Sequence, residues 1–100
     1  MIDGSFVEFL DHLNYGDELW IKYKGVIYFI QGWIEKSDDT KRHCVLECHS
    51  FATDPVTKLF HAEADSMAEC AKKLLAAPVF DGKKLTEIEQ DVQWVDDEKE

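Results

Sequence analysis

The stretch "LWIKYKGVIYFIQGWI", Leu19 to Ile34, constrains the fold more than any other part of the chain. Leu19, Ile21 and Tyr23 alternate with Trp20, Lys22 and Lys24, the period of a half-buried strand, and Gly25 interrupts before a second apolar run. A hairpin with a two-residue loop at Lys24-Gly25 sets Tyr23 opposite Val26, Ile21 opposite Tyr28 and Leu19 opposite Ile30. One face of the hairpin, face A, is then wholly apolar. The other, face B, carries Trp20, Lys22, Ile27, Phe29, Gln31 and Trp33. A one-residue slip would exchange the two faces, so everything that follows depends on this register.

The flanking segments supply partners for face A. In "SFVEFLDHLNYG", Ser5 and Glu8 have the spacing of a capping box, and Phe6, Phe9, Leu10 and Leu13 recur at helical spacing until Gly16. In "SMAECAKKLLAAP", Ser66 and Glu69 repeat the cap, Met67, Cys70, Ala71 and Leu74 share one helical face, and Pro78 ends the run. A third strand spans Lys41 to Ser50 and a fourth is expected at "TKLFHA", after the Asp54-Pro55 break. A five-residue second loop, Lys36 to Thr40, sets Ile30 against Leu46 and Tyr28 against Cys48. Cys44, Leu46 and Cys48 thereby join face A, while His43, Val45, Glu47 and His49 join face B. For the fourth strand the parity stays open, with either Leu59 and His61 or Phe60 and Ala62 facing the core. The tail of the domain holds a turn at Asp81-Gly82, a helical turn with Leu85 and Ile88, and an extended piece at Val92 to Val95.

The expected fold is therefore α+β: a four-stranded antiparallel meander with two helices on one face and a C-terminal helical turn and extended segment. One hundred residues suit one such domain, over 1–95, with 96–100 as an acidic tail. A formal charge of -10 disfavours binding to nucleic acid or to an anionic membrane surface and favours a basic protein partner. The N-terminal residues lack the basic-then-apolar pattern of a secretory signal, and no run is long enough to span a bilayer. A cytoplasmic location is expected, where the three cysteines would stay reduced.

The stretch "HCVLECH", His43 to His49, is the strongest candidate for chemistry. As a strand it separates the Cys44 and Cys48 α-carbons by roughly 13 Å, too far for one tetrahedral zinc, and turns His43 and His49 to the opposite face. Cys70 lies near a helix start but shares the apolar stripe of Met67 and Leu74, which predicts packing and not nucleophilic chemistry. His61, if it shares face A with the thiols, is a satisfied core histidine, and His12 sits where a helix C-terminus favours it. No carboxylate pair is marked as general acid and base, and the glycines form no phosphate-cradling loop. The chain is read as a non-enzyme without metal or cofactor.

The segments "YFIQGWIE" and "APVFDGKKLTEIEQDVQW" resemble a group of small acidic bacterial proteins of uncharacterised function, in which an aromatic-Gly-Trp strand precedes a helix and an "FDGK" turn with a Leu-x-x-Ile step. The resemblance implies a small α+β domain and carries over no activity. It also implies that Phe80, Asp81, Gly82, Lys83, Leu85 and Ile88 form a defined piece that caps the sheet edge or covers face B. Two outcomes are open for face B. Either Val79 to Trp94 folds back over it, or Trp20, Phe29, Trp33, His43 and His49 form an interaction surface, since large aromatics bordered by polar groups mark binding sites. The leading functional expectation is a non-catalytic protein-interaction domain. The alternatives are an immunity or inhibitor protein that binds a basic enzyme by charge complementarity, and a small-ligand binder with a pocket between sheet and C-terminal segment.

Overall fold

The computed structural model describes residues 1–37, 42–52 and 56–95. Its elements run α1 (Phe6–Tyr15), β1 (Leu19–Tyr23), β2 (Val26–Ser37), β3 (Arg42–Ser50), β4 (Thr57–Ala64), α2 (Met67–Ala76), α3 (Leu85–Ile88), a 3-10 turn (Glu89–Asp91) and β5 (Gln93–Val95). The fold is α+β with an antiparallel sheet, but the sheet has five strands in the order β4-β3-β2-β1-β5 and not four. The fifth is the piece at Val92 to Val95, whose Trp94 pairs with Ile21 along the free edge of β1. Three residues carry too little alternation to read as a strand; the open edge of β1 makes them one. Among the described residues no helix is long and apolar enough to cross a membrane.

The first hairpin has the expected register, Tyr23 against Val26, Ile21 against Tyr28 and Leu19 against Ile30. Its turn residues Lys24 and Gly25 both adopt positive φ, as a two-residue turn that follows strand twist requires. The β2–β3 register differs from expectation. Ile30 faces Cys48, Tyr28 faces Ser50, and a bulge falls between Ile34 and Lys36. Pairing continues to Ser37 and Arg42, past the residue where the loop was expected to begin. The offset is an even two residues, so every side chain keeps its face and Cys44, Leu46 and Cys48 still point into the core. The rest of that loop, the Asp54-Pro55 break and the tail 96–100 lie outside the described residues.

Both long helices begin as the sequence indicates. The Ser5 hydroxyl accepts the Glu8 N–H at 3.4 Å and the Ser66 hydroxyl accepts the Glu69 N–H at 3.2 Å. Helix α1 ends at Gly16, whose φ of 76° lets its N–H and that of Asp17 close on Leu13 and His12 carbonyls. Phe9 and Leu13 of α1 and Cys70, Ala71 and Leu74 of α2 bury against Leu19, Ile21, Tyr28, Ile30, Cys44, Leu46 and Cys48 in one face A cluster. Each buried Leu, Ile or Phe side chain among them contributes about 1.5–3 kcal/mol.

The C-terminal segment completes the same cluster. Phe80, Leu85, Ile88 and Val92 are buried in it, and the Phe80 ring meets Tyr28 edge-on at 5.0 Å. A second positive-φ pair, Asp81 and Gly82, turns the chain between Phe80 and Lys83, and Lys24 reaches Asp81 at 3.3 Å. The expectation that Val79 to Trp94 covers face B is thus overturned: its apolar residues lie on face A, and only its last strand extends the sheet. Face A between β1 and β2 still needed covering beyond the reach of the two long helices, and Phe80 fills that place.

In the middle of β2, Gly32 lies where a helix end approaches the sheet backbone closely. A Cβ there would lie 2.7 Å from the Met67 sulfur and 3.0 Å from the Gly16 α-carbon, while the Gly32 N–H donates to the Gly16 carbonyl at 3.1 Å. The thioether can move aside; the Gly16 backbone cannot. Replacing Gly32 by Ala is expected to cost about 1–3 kcal/mol, read as a lowered urea midpoint at unchanged slope. An unaltered midpoint would show that the close approach is not a constraint.

Candidate functional site: the sheet face opposite the helices

The buried residues of α1, α2 and α3 all belong to the face A cluster, and the face B side chains do not. Face B is built by strand alternation alone. Trp20 of β1 and Phe29 of β2 are direct cross-strand partners, with rings stacked at 4.2 Å and 30°. Phe51, just beyond β3, adds its ring 5.4 Å from Trp20 and stays 44% exposed. Trp33 stands apart from this cluster, opposite Val45, which is buried between Trp33 on one side and Glu63 on the other. Of the residues expected here, the structure brings Trp20 and Phe29 together, places Trp33 farther along β2, and puts His43 and His49 into a separate polar array.

That array follows from the parity of β4, which the sequence left open. Phe60 and Ala62 pair with Cys48 and Leu46 and face α2, where small Ala62 and Ala64 admit the helix and Cys70 donates its thiol to the Cys44 carbonyl at 3.4 Å. His61 therefore sits on face B opposite Glu47, not among the thiols, so its reading as a core histidine is corrected. The bulge between Cys48 and His49 leaves Leu59 as the extra residue and brings Lys58 opposite His49.

The polar side chains form an alternating lattice. The His43 Nε2–H donates to Glu63 Oε1 at 2.5 Å; His61 bonds Glu63 Oε2 through Nε2 at 2.6 Å and Glu47 Oε2 through Nδ1 at 2.7 Å. Lys58 donates to the same Glu47 oxygen at 3.1 Å, and His49 Nε2 lies 3.5 Å from its other oxygen. Glu35 approaches His43 at 3.8 Å. Carboxylates only accept, so His61 makes both of its bonds as the doubly protonated imidazolium. The Glu63 bond, and then the Glu47 bond, hold its pKa above the usual imidazole value. Glu63 is lowered by His61 and then by His43. Burial pushes Glu47 upward, but His61 and Lys58 together outweigh it and leave the group below the usual carboxylate value.

The thiols offer no competing chemistry. All three are buried and free, and burial pushes Cys48 up to about 12. Among the described residues no group of three or more His, Cys, Asp and Glu side chains is arranged to hold a metal ion. Sequence reasoning missed Phe51, Lys58, His61 and Glu63 as members of this face. The signal was the i,i+2 spacing of Glu47 with His49 and of His61 with Glu63, which on adjacent strands puts acids and imidazoles on one face. Compared with known proteins, the chain matches no protein-family model, no curated protein and no solved structure.

The lattice makes stability depend on pH in a defined sense. His61, raised, contributes fully below the unfolded imidazole value of about 6.5 and loses its contribution as pH rises through the folded value; Glu47 and Glu63, lowered, contribute above the unfolded value of about 4.3 and lose theirs as pH falls through the folded values. Thermal unfolding across pH is expected to peak between about pH 4.5 and about pH 6.5. His61→Asn should flatten the alkaline decline, although the self-repulsion of an acidic chain remains in both proteins. Parallel profiles above about pH 6 would refute the role of His61.

Proposed function

We propose that the chain is a non-catalytic protein-interaction domain that docks a partner protein on face B. The observation that carries this reading is the destination of the C-terminal segment: it buries its apolar residues on face A and leaves Trp20, Phe29, Trp33 and Phe51 on a sheet face where helices α1 to α3 bury nothing. Stacked aromatics at the centre of a patch, bordered by charged groups, have the composition of an interface hot spot. A catalytic role draws no support from the thiols, which are buried, or from the histidines, whose strongest bonds go to carboxylates and not to a nucleophile. The place where a small-ligand pocket was expected is filled by Phe80, Leu85, Ile88 and Val92.

The carboxylates Glu35, Glu47 and Glu63 beside the aromatics favour a partner with a basic surface, which keeps a second reading in play: an inhibitor or immunity protein that blocks a basic enzyme with this same face. The two readings differ in the partner's activity and not in the surface used.

Two measurements check the proposal together. Trp33→Ala and Phe51→Ala are expected to cost no more than about 1.5 kcal/mol each in urea denaturation, against about 3–5 for Phe80→Ala in the core. The Trp20→Ala/Phe51→Ala protein, used as bait, should fail to retain a partner that the parent protein and Val7→Ala, on the exposed side of α1, both retain and that binds again when purified. A partner held equally well by all three baits, or core-sized losses for both Trp33 and Phe51, would overturn it.

A further inference from the structure

Face B is not chemically uniform. Its β1–β2 half is aromatic, and its β3–β4 half is the lattice of imidazoles and carboxylates, so the surface passes from stacked rings to acids within the spacing of adjacent strands. His61 occupies the junction between Glu47 and Glu63. Its side chain is 40% exposed, and Glu63 is similarly open, while Glu47 is nearly buried at 11%. Among the described side chains of the β3–β4 half and of Glu35 beside it, the carboxylates Glu35, Glu47 and Glu63 face one permanent cation, Lys58, and His43, His49 and His61 are the titratable members; Lys22 lies on β1, in the aromatic half. Lys73 of α2 also approaches, but it donates to the Glu63 main-chain carbonyl and not to the carboxylate. Protonated His61 places a positive charge between the Glu47 and Glu63 carboxylates; neutral His61 leaves that place without one.

We infer that the partner delivers an arginine to Glu47 and Glu63, and that its guanidinium replaces the proton that His61 otherwise holds between them. This rests on the reading of face B as the docking surface. Arginine fits both halves of the face, because its planar group pairs with carboxylates in two directions and stacks on aromatic rings. Charge balances simply: the bound complex gains one guanidinium, and the proton of His61 passes to solvent. Docking is therefore tighter as pH rises through the imidazole range, and a weakly acidic environment releases the partner.

The probe is a synthetic peptide, acetyl-Gly-Arg-Trp-Arg-Gly-amide, titrated into the isotope-labelled protein and followed by the backbone and histidine ring NMR signals. At about pH 8 the shifts should centre on His61, Glu63 and Glu47 with Trp20 and Phe29, and affinity should fall about tenfold by about pH 5.5. His61→Asn should remove most of that pH dependence and retain the tighter binding at both values. His12→Asn, which removes an imidazole from the opposite side of the sheet, should leave the dependence intact and so separates the lattice from the net charge. Binding on face B with no pH dependence, or with dependence unaltered in His61→Asn, would overturn the proton-coupled arginine site and leave the docking surface standing. Shifts that avoid face B at both pH values would overturn both.

Discussion

The hydrogen bond from the Gly32 N–H to the Gly16 carbonyl fixes where the layers of this protein meet. β1 begins only at Leu19, so beyond Ile30 the β2 backbone has no strand partner on that side. The end of α1 takes the vacant place. Because neither glycine carries a side chain, the helix terminus approaches the sheet closely enough for Met67, at the first turn of α2, to close over both. Three elements distant in sequence are thereby held on face A. The extra backbone entropy that two glycines lose on folding is offset by the apolar burial that this approach permits.

Much of this was legible in the chain because it is locally encoded. The alternation from Leu19 to Ile30, the Lys24-Gly25 turn and the two serine caps are short-range features, and the structure contains each one. The β2–β3 offset was harder, since it depends on how far both strands continue and on a bulge at Glu35 that no residue type announces. Its even value preserved the faces. The parity of β4 was not legible at all: "TKLFHA" has an apolar residue on each side, and only the docking of α2 on Ala62 and Ala64 decides between them. The candidate site was half legible for the same reason. Trp20, Phe29, Trp33, His43 and His49 follow from strand parity, whereas His61, Glu63 and Phe51 depend on the placement of β4 and of the chain beyond β3.

Face A and face B illustrate how a small chain divides its apolar residues. The helices and the C-terminal turn are spent on one side of the sheet, where every buried side chain is aliphatic, aromatic or a thiol. On the other side, amphipathic side chains cover the strands themselves: the Trp20 and Phe29 rings stack on one another, and imidazoles satisfy carboxylates that would otherwise be costly beside them. Val45 shows the result, buried although no helix residue joins it in a core.

The bulge at Leu59 bears on how chains of this kind meet one another. β4 is the outermost strand on its side of the sheet, and a straight row of unpaired amides there would template a further strand from a second molecule. The extra residue breaks the regular spacing of those amides, and charged Lys58 stands next to the break. Growth of the sheet sideways, the usual start of open-ended aggregates, is thus impeded at the edge most exposed to it.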